Sequence, residues 1–214
     1  MSLVIAIKDK HRIVLGADKQ ISTGDSKNHA STKIWEVPDL EGAIMGGVGS
    51  ARASQVIQYS SIVDKNLIDS DLSTNFIVCS LAPTIAQTLK ANGVVVDVPN
   101  EGLCELMPNS FIFAYKDKAW MIWNDLSVSE IEDYFAIGSG SDVAQGALFA
   151  TKDKDPFTRI VTSIDAAAET TLFVDNGIDL LATDTEPGDE KLIAKALKLE
   201  IQDEVAKKKK KSKK

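Results

Sequence analysis

The sequence predicts an α+β fold in which two antiparallel sheets stack together with helix pairs on the outside. Three observations carry that prediction. The chain opens with two short β-branched runs separated only by a polar turn, LVIAI-KDKHR-IVLGAD; strands joined so tightly must run antiparallel. Apolar residues at helical spacing begin only after residue 50 and come as two successive segments. After residue 109 the order returns, strands first and then two helices, whereas a doubly wound parallel sheet would alternate strand and helix.

The elements follow in order. LVIAI, residues 3–7, is continuously apolar, the pattern of a strand buried on both faces. DKHR is a polar turn, and IVLGAD returns as the second strand of a hairpin. TGDSKNHAST, residues 23–32, reads as a polar loop. KIWEV and, after the PDLEG turn, AIMGGVG are two further strands, the second ending in glycines. From Ser50 the period changes: Ala51, Val56, Ile57, Ile62 and Val63 fall at helical intervals, so a helix is expected over about 50–65. A second helix is expected over about 75–92 on Phe76, Ile77, Leu81, Ile85 and Leu89, with Pro83 kinking it or shifting its start. Residues 93–109 are a Gly/Pro-punctuated connection. SFIFAYKDKAWMIWND is a strand–turn–strand, and DYFAIGSGSD is a short strand entering a Gly-Ser loop. VAQGALFATKD and PFTRIVTSIDAAAET are two more helices, the latter with Pro156 near its start. LFVDNGIDLLATD is a last extended segment. The expected organisation is a core domain over 1–187, a C-terminal helix over 188–206 and a disordered basic tail over 207–214.

At 214 residues and 44% apolar, the chain has enough material for one domain with a sizeable core. Its formal charge of −7 is unevenly placed. The tail KKKKKSKK holds seven lysines; without them 17 basic residues face 31 acidic ones, a net −14. A body that acidic argues against nucleic acid as a partner. Of the two cysteines, Cys79 in the apolar run FIVCS reads as a small buried residue. Neither cysteine has metal-ligand spacing, so no metal or cofactor is expected. Nothing at the N-terminus has the pattern of a signal peptide, and no apolar run reaches 18 residues. The expected setting is the reducing cytoplasm, with no membrane contact.

Several residues carry chemistry when taken together. Ser2 follows the initiator methionine, and a small residue there lets an aminopeptidase remove Met1 and expose a serine with its own α-amine. An α-amino group has a pKa of about 7.7–8, close enough to neutral to serve as base for the adjoining hydroxyl. Asp18 ends the second strand of the hairpin, where pairing brings the chain back towards Ser2, and a buried carboxylate there needs a cation. Lys33, at the start of KIWEV, is the candidate. MGGVGS, residues 45–50, is a strand end followed by a helix start, a source of free backbone N–H groups for an oxyanion hole. GSGS, residues 138–141, also precedes a helix but has neither P-loop nor Rossmann spacing.

In this combination the chain resembles the proteasome-type N-terminal nucleophile (Ntn) hydrolases, and within them it is most similar to the bacterial HslV-type peptidase. S-LVIAI-KDKHR-IVLGAD matches the family's opening, and Asp18 falls on its acidic position without a gap. TKI puts Lys33 on the lysine position, MGGVG puts Gly46 on the oxyanion glycine, and AIGSG stands unchanged as residues 136–140 with Ser139 on the serine that helps bind the α-amine. Glu169 is the nearest match to an acidic residue near the end of the last core helix. The usual nucleophile is threonine; serine keeps the hydroxyl. The resemblance implies a four-layer αββα sandwich and a peptidase acting on polypeptides within a homo-oligomeric ring fed by an ATP-dependent unfoldase, with the helices at 50–65 and 75–92 at ring contacts. It also admits a connectase-like transpeptidase, or a silent shell subunit of the proteasome α type. The α-type subunits carry an extra N-terminal helix that the sequence lacks ahead of Ser2, which favours an active subunit.

Overall fold

A computed structural model describes residues 2–23, 26–29, 32–38, 40–64, 72–94 and 107–197. The opening hairpin forms as the sequence predicts, from β1 (Leu3–Asp9) and β2 (Arg12–Asp18). β10 (Tyr134–Gly138) flanks β1 on its other side and β11 (Ile178–Ala182) flanks β2, giving an antiparallel sheet of order β10-β1-β2-β11. The second sheet runs β5 (Ile34–Glu36), β6 (Ala43–Gly49), β7 (Asn109–Tyr115), β8 (Lys118–Ile122) and β9 (Val128–Glu130), with every neighbour antiparallel.

Strand alternation sorts the core into three clusters and so into layers. On β1, Leu3, Ile5 and Ile7 face α4 (Ser141–Ala150) and α5 (Pro156–Thr170), meeting Leu148, Phe157 and Ile160. Val4 and Ala6 point the other way, into a second cluster with Ile34, Ile44 and Ile112 between the two sheets. Beyond the second sheet, Met45, Phe111 and Trp120 pack on α1 (Ala51–Gln58) and α3 (Ala82–Ala91). The architecture is therefore helices, sheet, sheet, helices. Full burial of each large apolar side chain of β1 stabilises the fold by roughly 1.5–3 kcal/mol, which explains why that strand carries no polar alternation.

Four expectations are corrected. Residues 23–32 are not all loop: β3 (Gln20–Thr23) and β4 (Ser26–His29) form a two-stranded ribbon that their polar composition conceals. The helix expected over 50–65 is shorter, because α1 ends at Gln58 and residues 61–64 are irregular. The helix expected from 75 starts one residue earlier, with α2 (Thr74–Phe76), and passes through a π-helical stretch, Ile77–Leu81, into α3. There the Ala82 N–H reaches back five residues to the Ile77 carbonyl, opening the turn that the Pro83 ring would crowd. Cys79 lies on that stretch and is exposed, not buried. Cys104 and the tail 207–214 lie outside the described residues.

The far end of the hairpin is clamped. Arg12 is only 1% exposed, and its guanidinium donates to both carboxylate oxygens of Asp189, at 2.5 and 2.9 Å, and to Asp9 at 3.1 Å. Asp189 starts the helical segment 189–197, whose Ala196 is fully buried against the α4–α5 side of the core. Arg12→Met should cost about 3 kcal/mol, because it leaves these carboxylates facing no cation. Denaturant unfolding measures the loss, and limited proteolysis should then cut first between 183 and 197.

Candidate active site

β1 starts at Leu3, so Ser2 caps the end of a strand that has neighbours on both sides. Leu3 is opposite Gly138, and the Ser139 N–H donates to the Ser2 carbonyl at 2.8 Å. This close approach requires glycine at 138: its φ is +99°, and a Cβ there would lie 1.9 Å from the Ser2 carbonyl oxygen. Alternation puts the Ser2 side chain on the face of Val4 and Ala6, towards the gap between the sheets. An open pocket of about 670 Å³ lies there, with Ser2 and Ser139 on one side and Val48, Gly49, Asn109 and Trp123 around it. Among the described residues, none that lines it has a charged side chain.

Beside this pocket is a buried ion pair. Asp18 is fully buried at the end of β2; its Oδ1 accepts the Leu3 N–H at 2.7 Å and the Lys33 ammonium at 2.6 Å, while its Oδ2 accepts the Gln20 N–H at 3.1 Å. Burial pushes the Asp18 carboxyl above its ordinary pKa, opposed by Lys33 and by the hydrogen bonds. Burial likewise pulls Lys33 down, opposed first by Asp18 and then by Asp175 and Asp179. A single carboxylate oxygen thus ties the ammonium to the backbone of the residue that follows Ser2.

No protein-family model and no curated protein matches the chain. Solved structures do. BPH of Thiobacillus denitrificans superposes with a TM-score of 0.70 at 23% identity, over 86% of this chain and 99% of BPH. The same protein in complex with epoxomicin gives 0.67 at 21%, over 86% of this chain and 100% of that one. Eukaryotic HslV from Trypanosoma brucei gives 0.60 at 17%, over 84% and 98%. The fold is the proteasome/HslV-type Ntn-hydrolase fold.

Within this Ntn-hydrolase fold, four of the six residues singled out in the sequence gather at one end of the sandwich: Ser2, Asp18, Lys33 and Ser139. Gly46 sits deeper, where a Cβ would meet Val4 Cγ1 at 2.7 Å. The next residue, Gly47, donates its N–H to the Lys33 carbonyl at 3.0 Å, so strand alternation points the Gly46 N–H at β7. Gly49, and not Gly46, borders the pocket. Glu169 is exposed on α5. One turn earlier, Asp165 is partly buried and accepts from the Asn176 side chain, in the loop that also carries Asp175. Asp165 and Glu169 are both acidic residues near the end of the same helix, and burial distinguishes them where the letters do not. Asp175 and Asp179 add negative charge near Lys33, and the sequence segment that carries them, VDNGID, reads equally well as a turn.

Proposed function

We propose that the protein is an N-terminal-serine peptidase whose nucleophile is Ser2 after loss of Met1. The observation that carries this reading is the double anchoring of the Ser2–Leu3 backbone: Ser139 holds the Ser2 carbonyl, and Asp18, itself held by Lys33, holds the Leu3 N–H. A nucleophile on the first residue of a chain needs such fixing, since a terminus otherwise frays.

In the proposed reaction the Ser2 α-amine takes the hydroxyl proton, directly or through one water, as Oγ attacks a peptide carbonyl. The Lys33 charge raises the electrostatic potential around the amine, which lowers the amine's pKa and favours its neutral, basic form, while Asp18 fixes the lysine. The family resemblance assigns the oxyanion to the N–H of Gly46; because that N–H points at β7 and Gly49 borders the pocket, the Gly49 N–H at the glycine-rich end of β6 is the donor that receives it. Collapse breaks the C–N bond, the amine's proton passes to the leaving nitrogen, and a Ser2 ester remains. Water then attacks the ester, giving a carboxylic acid and regenerating the hydroxyl. Ser139, with an acidic residue of α5, positions the amine. The uncharged pocket suits apolar or aromatic substrate side chains. Assembly into a homo-oligomeric ring, supply by an ATP-dependent unfoldase and a cytoplasmic setting complete the proposal; they rest on the likeness to HslV and BPH.

Intact mass spectrometry tests the centre of it. The purified protein should lack Met1, and a β-lactone or epoxomicin should add once per chain in the wild type and not at all in Ser2→Ala. Retained Met1 with no adduct would overturn the reading.

A further inference from the structure

Asn109 is 1% exposed at the first position of β7, opposite Gly49 in the β6–β7 register. A buried amide must satisfy its donor and acceptor groups, and this one does so on the corner between β6 and α1. Its Oδ1 accepts the Ser50 N–H at 2.8 Å, and its Nδ2 donates to the Ser50 carbonyl at 3.1 Å and to Ser54 Oγ at 3.0 Å. Extending the register by one residue would place Ser50 opposite Pro108, which has no N–H to complete the rung. The Asn109 Nδ2 supplies the donor that Pro108 lacks, and its Oδ1 takes up the Ser50 N–H as well. It does so where the backbone turns sharply: Gly49 has φ +122°, and a Cβ there would lie 2.3 Å from the Pro108 carbonyl oxygen. Ser50 is also the N-cap of α1, accepting from the Ala53 N–H. Gly49 and Asn109 border the same pocket as Ser2 and Ser139.

We propose that Asn109 is a positioning residue for acyl transfer: it holds the Gly49–Ser50 corner in the shape that presents the Gly49 N–H to the oxyanion formed when Ser2 attacks. This rests on Ser2 being the nucleophile. The Gly47 N–H is already taken up by the Lys33 carbonyl, and the Gly49 N–H, two residues on, is aimed at the same edge, past the last bond to β5. The direction of that N–H depends on how the corner is held.

Time-resolved mass spectrometry with a β-lactone separates initial binding from acylation. In Asn109→Ala the acylation step should slow about 10- to 100-fold, as expected for a misplaced group, with the binding constant within about twofold of wild type. Asn109→Asp keeps size and acceptor but sets a carboxylate against the Ser50 carbonyl. Its rate relative to wild type should rise as pH falls, because a protonated carboxyl donates again. If Asn109→Ala does not fold, the pH profile of Asn109→Asp decides. Wild-type acylation rates in the variants, or a pH-independent deficit in Asn109→Asp, would overturn the role of Asn109 and leave Ser2 standing. A wild-type protein that takes no label would overturn both.

Discussion

Lys33→Met should abolish β-lactone labelling of Ser2 and lower stability by about 3–5 kcal/mol, the cost of stranding a buried charge without its partner. Asp18 is fully buried and holds three donors, of which only Lys33 brings a charge. Without the ammonium, the two backbone N–H groups remain and the desolvation is unopposed by any cation of that pair. Burial already raises the Asp18 pKa with Lys33 present, so removing Lys33 raises it further. The sign of the pH dependence follows. Between the ordinary carboxylate pKa and the raised folded value, the folded state binds more protons than the unfolded state. Stability of the variant must therefore fall as pH rises through that window. Urea midpoints at pH 5 and pH 7.5 should show Lys33→Met closer to wild type at the lower pH. Equal deficits at both would mean that Asp18 does not carry the charge assigned to it. The double variant Lys33→Met/Asp18→Asn removes both charges and should recover much of the stability while remaining unlabelled, which separates folding from chemistry.

The second large effect is expected at Gly138. An added Cβ would sit 1.9 Å from the Ser2 carbonyl oxygen, and φ is +99°, so Gly138→Ala meets a collision and a forbidden backbone at once. Relief requires β10 to move away from the start of β1, breaking the Ser139–Ser2 hydrogen bond. The expected cost is about 2–4 kcal/mol, with labelling of Ser2 lost even at temperatures where the variant is folded. Gly146→Ala is the control. Gly146 lies in α4 with nothing within 4 Å of a Cβ, and the substitution should raise stability by about 0.5–1 kcal/mol and leave labelling intact. Thermal melts and adduct yields for the two variants, side by side, check both statements.

How much of this was legible in the letters depended on whether the signal was local. The hairpin was, because a continuous β-branched run, a polar turn and a second run leave few other solutions, and Ser2, Asp18 and Lys33 were placed by that hairpin and the strand after it. The ribbon Gln20–His29 was not; its polar residues carry no alternation to read. The end of α1 was missed because Ile62 and Val63 keep helical spacing yet are buried from an irregular segment. Gly46 and Gly49 are told apart by strand parity, by where β5 stops and by the φ of +122° at Gly49, and Asp165 and Glu169 by what α5 packs against. These are tertiary facts, fixed by partners far along the chain.

The pairing of β1 has a consequence for the order in which the molecule is made. Its bond to β2 is available as soon as the first residues have been synthesised, but its other neighbour, β10, and the clamp from Arg12 to Asp189 close across most of the chain. A lone two-stranded hairpin is marginal in water, and contacts so distant in sequence form late. During synthesis, then, the Ser2 end of β1 is paired on one side only. Gly138, Ser139 and the pocket wall reach it only once the second half of the chain has docked, so the proposed nucleophile is made well before the residues that fix it.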